Sequence, residues 1–356
     1  MAQLISAIRT APALPVPAPD IVRRRPGRDA FFDNAKYLAI VLVAMGHAWE
    51  PLPASGRIVE AVYTLVYAVH MPVFIMIAGY FSRTFDGSTA KVQRLLGGVL
   101  VPYVVFEVAY TLFQRQLRQP DFPLSLADPY WILWFLPALF LWRLSVPVWR
   151  AVRWPLPLAL LVAAVASVAG GIGDDLDLGR VLQYLPYFVL GLCLRPEHIS
   201  RVRDRRVRIA AVPVVAMALL VAYWAVPRMT TSWFFHRYNA QDLGMAAWTG
   251  PVMTFALFAA ALVLGACFLA WTPGRRMWFT TLGAGTLYGY LLHGFVIRGA
   301  SYLGWYDHDV LATPVGRVVV SLAAAAVVTL LCTRPVRTAL RPVVEPSLDR
   351  FVRRAR

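Results

Sequence analysis

The 356 residues are 59% hydrophobic and only 15% charged, with a mean hydropathy of +0.58. A soluble domain of this composition would expose too much apolar surface, so the chain is expected to be an integral membrane protein. The formal net charge of +16 would also suit a nucleic-acid-binding protein. The arginines, however, cluster in loops between apolar runs, as expected beside anionic lipid headgroups. We therefore expect a lipid bilayer as partner, and no nucleic acid.

The apolar runs predict an all-α, polytopic transmembrane helix bundle. A bilayer core about 30 Å thick takes roughly 20 apolar residues per helix, and these runs have helix length without the alternation of barrel strands. We expect a transmembrane domain at 30–333 between two basic tails, a disordered one at 1–29 and another at 334–356. The boundaries set by proline, glycine and charge give about ten spans: 33–51, 58–82, 92–114, 130–148, 155–171, 179–195, 208–226, 246–271, 278–300 and 312–332.

The distribution of charge predicts the orientation of the bundle. An even number of spans places both termini on one side, and the loops on that side carry most of the arginines and lysines. The positive-inside rule then makes both termini cytoplasmic. The arginine-rich, lysine-poor usage indicates a bacterial protein of the cell membrane. The three cysteines stand in separate apolar runs without metal-ligand spacing, so neither a disulfide nor a metal site is expected.

The first span, DNAKYLAIVLVAMGHAWEPL (33–52), carries a lysine at its start and a histidine deep inside. Lys36 and His47 are eleven residues apart, which is within roughly 20° of three whole helical turns and about 16 Å along the axis. The two side chains are therefore expected on one helix face. In the alternative interpretation, Lys36 reaches to the lipid phosphates and His47 is a hydrogen-bonded interior residue. Ionisable groups in the membrane, however, usually mark function.

The second span, VYAVHMPVFIMIAGYFSR, contains another histidine, His70, near mid-membrane, followed by Pro72. Proline removes a backbone donor, which is tolerated where a cavity or a partner side chain satisfies the freed carbonyl. One such histidine is more often structural. Two histidines on successive spans predict a polar interior.

These two spans resemble the acyltransferase-3 family of membrane O-acyltransferases. The resemblance lies in a basic residue, ten others and a histidine in the first span, then H-M-P-x-F-x-x-x-x-G-Y in the second. VQRLLGGVLVPYVVFE (92–107), LWFLPALFLWRL (133–144) and LYGYLLHGF (287–295) are similar to later segments of the family. The chain departs from it at Lys36, where arginine is also common, and at Ala78, where serine is frequent.

The resemblance implies transfer of an acyl group, usually acetyl from cytoplasmic acetyl-CoA, to a hydroxyl of a carbohydrate or glycolipid at or near the outer face. His47 would act as general base or as a transient acyl carrier. His70 and Glu107 are the other catalytic candidates, and Glu107 has a purely structural ion pair as its alternative role. The acetyl-CoA is a co-substrate, and no metal is implied.

Two further groups of residues follow from this implied chemistry. Acetyl-CoA is a polyanion, so the candidates for its phosphates are basic residues near the cytoplasmic mouth: Lys36, Arg83, Lys91 and Arg94. The candidates for contact with the acceptor are Trp134, His293 and Arg298. The alternative for the basic residues is ordinary positive-inside charge, and that for Trp134 is packing or anchoring at the interface. His293 has a structural role as its alternative, and Arg298 an ion pair. The outer segment TTSWFFHRYNAQD (230–242) suits either stacking on a sugar or anchoring at the interface.

Two other functions fit a polar interior in a membrane bundle. A transporter or flippase for a lipid-linked sugar would use buried histidine, glutamate and arginine as a relay or a headgroup path. A scaffold without catalysis would tolerate loss of His47. Release of free coenzyme A on turnover distinguishes an enzyme from both.

Overall fold

The computed structural model describes residues 29–53, 56–172 and 175–346, and the described residues are largely helical. The expected disordered tail falls almost entirely on residues 1–28, outside this part of the chain. The α-helices are α1 (Ala30–Trp49), α2 (Arg57–Ser82), α3 (Thr89–Leu117), α4 (Trp131–Leu144), α5 (Val146–Ala151), α6 (Pro155–Ala166), α7 (Leu178–Cys193), α8 (Pro196–Val202), α9 (Arg205–Ala225), α10 (Thr249–Trp271), α11 (Thr286–Tyr302), α12 (Asp309–Ala312), α13 (Pro314–Leu331) and α14 (Arg334–Val344). Helix α3 includes a π-helical stretch at Leu96–Leu100, and α4 begins with a 3₁₀ turn at Trp131–Trp134.

Within the described ranges, five helices are long and apolar enough to cross a membrane: α2, α3, α9, α10 and α13. They make the chain a multi-pass membrane protein. The other five predicted spans contain α1, α4, α6, α7 and α11, which are shorter or more polar. The number of ten spans and the cytoplasmic termini therefore stay predictions.

Helices α2 and α7 form the most extensive helix pair in the bundle. Two glycines allow their backbones to touch: a Cβ on Gly79 would overlap the carbonyl oxygen of Phe188, and a Cβ on Gly191 would overlap that of Met76. Small residues at such crossings bring membrane helices together by close van der Waals packing. Helix α2 stays continuous through Pro72, so this proline does not end the helix.

Helix α1 lies centrally, in contact with α2, α11, α13 and the 3₁₀ turn Thr280–Ala284. Its first turn is fixed by Asn34, whose amide nitrogen donates to the carbonyls of Pro273 and Arg275 at 2.8 and 2.9 Å. The Asn34 carbonyl oxygen accepts from the Thr280 hydroxyl at 2.7 Å. Because both the nitrogen and the oxygen of this amide form hydrogen bonds, the start of α1 is held in a defined position. We call the end of the bundle where α1 begins the terminus-proximal face and the other end the opposite face.

Candidate active site

A cavity of about 450 Å³ opens at the end of α1 toward the opposite face. We call it the polar cavity. It brings together residues from six segments of the chain that are far apart in sequence. Its lining comprises His47, Glu50, Tyr63, Tyr67, His70, Met71, Trp131, Trp134, Arg180, Tyr184, Phe234, Phe235, Arg237, Tyr238 and Arg298. Histidines, a carboxylate and arginines among aromatic rings give this cavity both acid–base groups and surfaces for stacking.

His47 and Glu50 form a hydrogen-bonded pair inside the polar cavity. The imidazole Nδ1 lies 2.7 Å from Glu50 Oε1, and the same oxygen accepts from the Tyr67 hydroxyl at 2.5 Å. The pair is only partly exposed, at 15% for the His47 side chain and 26% for that of Glu50. A carboxylate on Nδ1 fixes the tautomer with the proton on that nitrogen. The Nε2 atom is then the basic nitrogen of His47.

Two more histidines surround His47. The ring centroid of His293 is 5.6 Å from that of His47, and the ring of His70 is 6.4 Å away. Both are almost fully buried and use Nδ1 on carbonyls of their own helices: His70 on Val66, and His293 on Gly289 and Tyr290. The structure thus brings together the three histidines that the sequence singled out on separate spans.

In the described ranges, the Nε2 atom of His293 has no hydrogen-bond partner. His293 also lines a second, almost wholly apolar cavity of about 190 Å³ between α1, α11 and α13. Its imidazole therefore stands at the boundary between a polar and an apolar cavity, 5.6 Å from His47.

Trp131 is held against His47 by a strained backbone. Its φ of 40° lies in the left-handed region, which is an outlier for a bulky residue. The indole contacts the His47 ring at 4.8 Å between centroids, and the guanidinium of Arg298 stacks on it at 4.0 Å. Glu107 supports the preceding residue, because its Oε2 accepts from the Tyr130 amide at 2.9 Å. The hydrogen bond of Glu107 is thus to the backbone beside Trp131.

Arginines and aromatic rings form the outer wall of the polar cavity. Asp177 pairs with Arg180 and with Arg237, each at 3.4 Å. Arg180 stacks on Trp134 at 4.7 Å. Burial, with Arg180 nearby, lowers the pKa of the loop residue His236 to about 3, so this imidazole is neutral. The segment 230–242 contributes part of this wall, as expected if it contacts an acceptor.

The four basic residues predicted to bind the donor phosphates lie near the terminus-proximal face, and three have partners within the chain. Lys36 pairs with Asp33 at 2.8 Å. Arg83 stacks on Tyr80 and donates to the carbonyls of Tyr80 and Leu194. Lys91 pairs with Asp86 at 2.9 Å, and this hydrogen bond lowers the pKa of the carboxyl. Arg94 is exposed. The described ranges hold no group of three or more histidine, cysteine or acidic side chains placed to bind a metal ion.

The sequence is similar to known proteins over most of its length. Residues 29–334 match the family model described as "Acyltransferase domain", that of acyltransferase-3. The chain belongs to the acyltransferase-3 family. It is 24% identical over 300 residues to nodulation protein NolL of Sinorhizobium fredii (strain NBRC 101917 / NGR234), a match that covers 76% of this chain and 78% of that protein. It is 24% identical over 299 residues to NolL of Mesorhizobium japonicum (strain LMG 29417 / CECT 9101 / MAFF 303099), covering 76% and 77%. No solved structure matches the chain.

This acyltransferase-3 protein is a membrane acyltransferase, and its polar cavity holds residues that the sequence motifs did not reveal. Glu50, Tyr67 and Trp131 all lie in contact with His47. Glu50 had a signal, because it follows His47 by three residues, a spacing that places two side chains on one face of a helix. Trp131 had none, because its contact with His47 depends on a backbone turn that the sequence does not indicate.

Proposed function

We propose that this acyltransferase moves an acetyl group from acetyl-CoA, supplied at a cytoplasmic terminus-proximal face, to a hydroxyl of a carbohydrate or glycolipid in the polar cavity. The proposed location is the cell membrane of a bacterium. The observation that carries the proposal is the His47–Glu50 pair, with Nδ1 and Oε1 2.7 Å apart in a cavity lined by aromatic rings and arginines. A base oriented by a carboxylate is the arrangement that activates a hydroxyl nucleophile.

In the proposed reaction, one proton moves from the acceptor hydroxyl to His47 and then to the leaving coenzyme A. Nε2 of His47 accepts the proton of the acceptor hydroxyl as its oxygen attacks the thioester carbonyl. Glu50 stabilises the resulting imidazolium through Nδ1–H, at 2.7 Å. The tetrahedral intermediate expels the coenzyme A thiolate, which takes the proton from Nε2. The products are an ester and free coenzyme A, and His47 returns to its starting form.

Arg298 is the candidate for stabilising the oxyanion of that intermediate. Its guanidinium and the His47 imidazole contact the same indole, that of Trp131. The Nε atom of Arg298 is buried and has no hydrogen-bond partner among the described residues, so a donor is available for developing negative charge. His70 and His293 then keep the surroundings of His47 polar. Trp134 contacts both Tyr184, at 5.2 Å, and Arg180, at 4.7 Å, and we assign it to orienting these two residues toward the acceptor.

The same geometry is compatible with covalent transfer, in which Nε2 of His47 itself attacks the thioester and passes the acetyl group to the acceptor. The two routes differ in the absence of acceptor. Covalent transfer predicts one equivalent of coenzyme A released per protein and an acetylated His47 in a rapid-quench experiment with labelled donor. Direct transfer predicts neither.

The experiment that tests the proposed function compares His47→Ala with His308→Ala in membranes that hold the acceptor. His308 is exposed on the segment between α11 and α13 and serves as the matched control. With radiolabelled acetyl-CoA, wild type and His308→Ala are expected to label carbohydrate and release coenzyme A, and His47→Ala is expected to lose both. Full labelling by His47→Ala would contradict the proposal. A transporter or flippase would release no coenzyme A in any of these samples.

A further inference from the structure

Another cavity, larger than the polar cavity, lies at the terminus-proximal face, at the other end of α1. Its volume is about 840 Å³. Four arginines line it: Arg276 from the segment after α10, and Arg334, Arg337 and Arg341 from one face of α14. We call it the arginine cavity.

The charges of the arginine cavity leave it cationic. Its two carboxylates are Asp33, which pairs with Lys36 at 2.8 Å, and Glu345, which lies 3.9 Å from Arg341. The lining thus carries four cationic and two anionic side chains, and Lys36, which pairs with Asp33, lies outside it. Within the part of the chain that the structure describes, the Nε atom of Arg337 is buried without a hydrogen-bond partner. Leaving a buried donor unpaired costs free energy, and a ligand with acceptor oxygens in the cavity would recover it.

The helix that supplies three of these arginines lies beyond the family domain. The family match ends at residue 334, where α14 begins. The arginines at positions 334, 337 and 341 follow a spacing of three and four residues, which places them on one face. Helix α14 packs against α3, α11 and α13, so this face is held over the start of α1.

We infer that the arginine cavity binds the nucleotide phosphates of the acyl-CoA donor, an inference that rests on the proposed function above. Guanidinium groups bind phosphate oxygens in a bidentate manner, and four of them match a ligand with a pyrophosphate and a ribose phosphate. Lys36 contributes indirectly, because its pairing with Asp33 neutralises a carboxylate that would otherwise repel the phosphates. Arg83, Lys91 and Arg94 then belong to the ordinary basic surface.

The position of the cavity suits the length of the donor. Asp33 in the arginine cavity and His47 in the polar cavity are fourteen residues apart on α1, which is about 21 Å along the helix. The pantetheine arm of coenzyme A is a long flexible chain with the thioester at its end. A donor anchored by its phosphates at one end of α1 can therefore direct its acetyl group toward the other.

The test measures binding of acetyl-CoA and of adenosine 3′,5′-bisphosphate to the full chain in phosphatidylcholine nanodiscs. Wild type is compared with Arg337→Ala, Arg337→Lys and Arg341→Ala. Arg341 is 75% exposed, so its variant tests the inference even where Arg337→Ala fails to fold. The matched control is Arg206→Ala, an exposed arginine in the first turn of α9.

We expect the bisphosphate to compete with acetyl-CoA, and each alanine variant of the cavity to raise Kd about tenfold, which corresponds to about 1.4 kcal/mol. Arg337→Lys should bind with intermediate affinity, and Arg206→Ala as wild type. Unchanged Kd values in the cavity variants would overturn the inference and leave the proposed function standing. The same measurements in phosphatidylglycerol nanodiscs test whether the cavity binds an anionic lipid instead. If this lipid stabilises wild type but not the cavity variants, and the variants keep wild-type affinity for the donor, the inference is overturned. Absence of acetyl-CoA binding by wild type would overturn both the inference and the proposed donor.

Discussion

Replacing Glu50 by glutamine removes the charge beside His47 with little change of shape. Glu50 Oε1 is bonded both to His47 Nδ1 at 2.7 Å and to the Tyr67 hydroxyl at 2.5 Å, so the neutral variant weakens two hydrogen bonds at once. A hydrogen bond to a charged group contributes about 1.5–3 kcal/mol. The imidazolium that forms during transfer loses this support, so we expect kcat to fall by about 10- to 150-fold.

Glutamine also presents an amide that can donate to Nδ1, which would shift the proton of His47 to Nε2 and remove the base. Both effects act on kcat, whereas the donor contacts at the other end of α1 are untouched, so KM for acetyl-CoA should stay within about twofold. The assay is release of coenzyme A in the presence of acceptor, detected with a thiol reagent. Glu197→Gln, at an exposed carboxylate on α8, is the control. Retention of more than half of wild-type kcat by Glu50→Gln would refute the role assigned to this carboxylate.

Two further predictions concern the packing of the bundle and the start of α1. Gly79→Ala should lower the free energy of unfolding by about 1–3 kcal/mol, because its Cβ overlaps the Phe188 carbonyl. Gly98→Ala, with open space around its Cβ, should leave the unfolding temperature in detergent near that of wild type, and equal behaviour of the two variants would contradict the close crossing of α2 and α7. Lys36→Ala should raise KM for acetyl-CoA without lowering kcat, and Asp33→Asn in the same chain should restore part of the affinity; an unchanged KM argues against any role of Lys36 in donor binding.

The class of fold was predictable because apolar runs of helix length leave few alternatives in a bilayer. The boundaries of the helices were less predictable from the sequence. Segment 155–171 reads as one continuous span, yet α6 ends at Ala166, and 278–300 begins with a 3₁₀ turn before α11 starts at Thr286. Hydropathy counts apolar residues, whereas a helix ends where its backbone hydrogen bonds find other partners. The sequence predicts a basic tail at 334–356, since its arginines are typical of positive-inside charge, whereas the structure has helix α14 at Arg334–Val344.

The site was predictable to the extent that it follows from helical periodicity. His47, His70 and His293 stood out as rare ionisable groups in apolar runs, and the structure brings all three together. Glu50 lies within the predicted first span, three residues after His47, so its place on the same helix face follows from the sequence. Trp131 meets His47 through a positive-φ turn supported by Glu107, a long-range arrangement with no local signal.

The most direct test of the account is a structure of the protein with a non-hydrolysable acetyl-CoA analogue bound. If Nε2 of His47 lies about 3 Å from the acceptor hydroxyl, and that oxygen about 3–3.5 Å from the carbonyl carbon, the carbonyl carbon should lie within about 6.5 Å of Nε2. We expect the acetyl group at this position in the polar cavity, with the phosphates at the terminus-proximal face. An analogue whose acetyl group lies outside the polar cavity would contradict it.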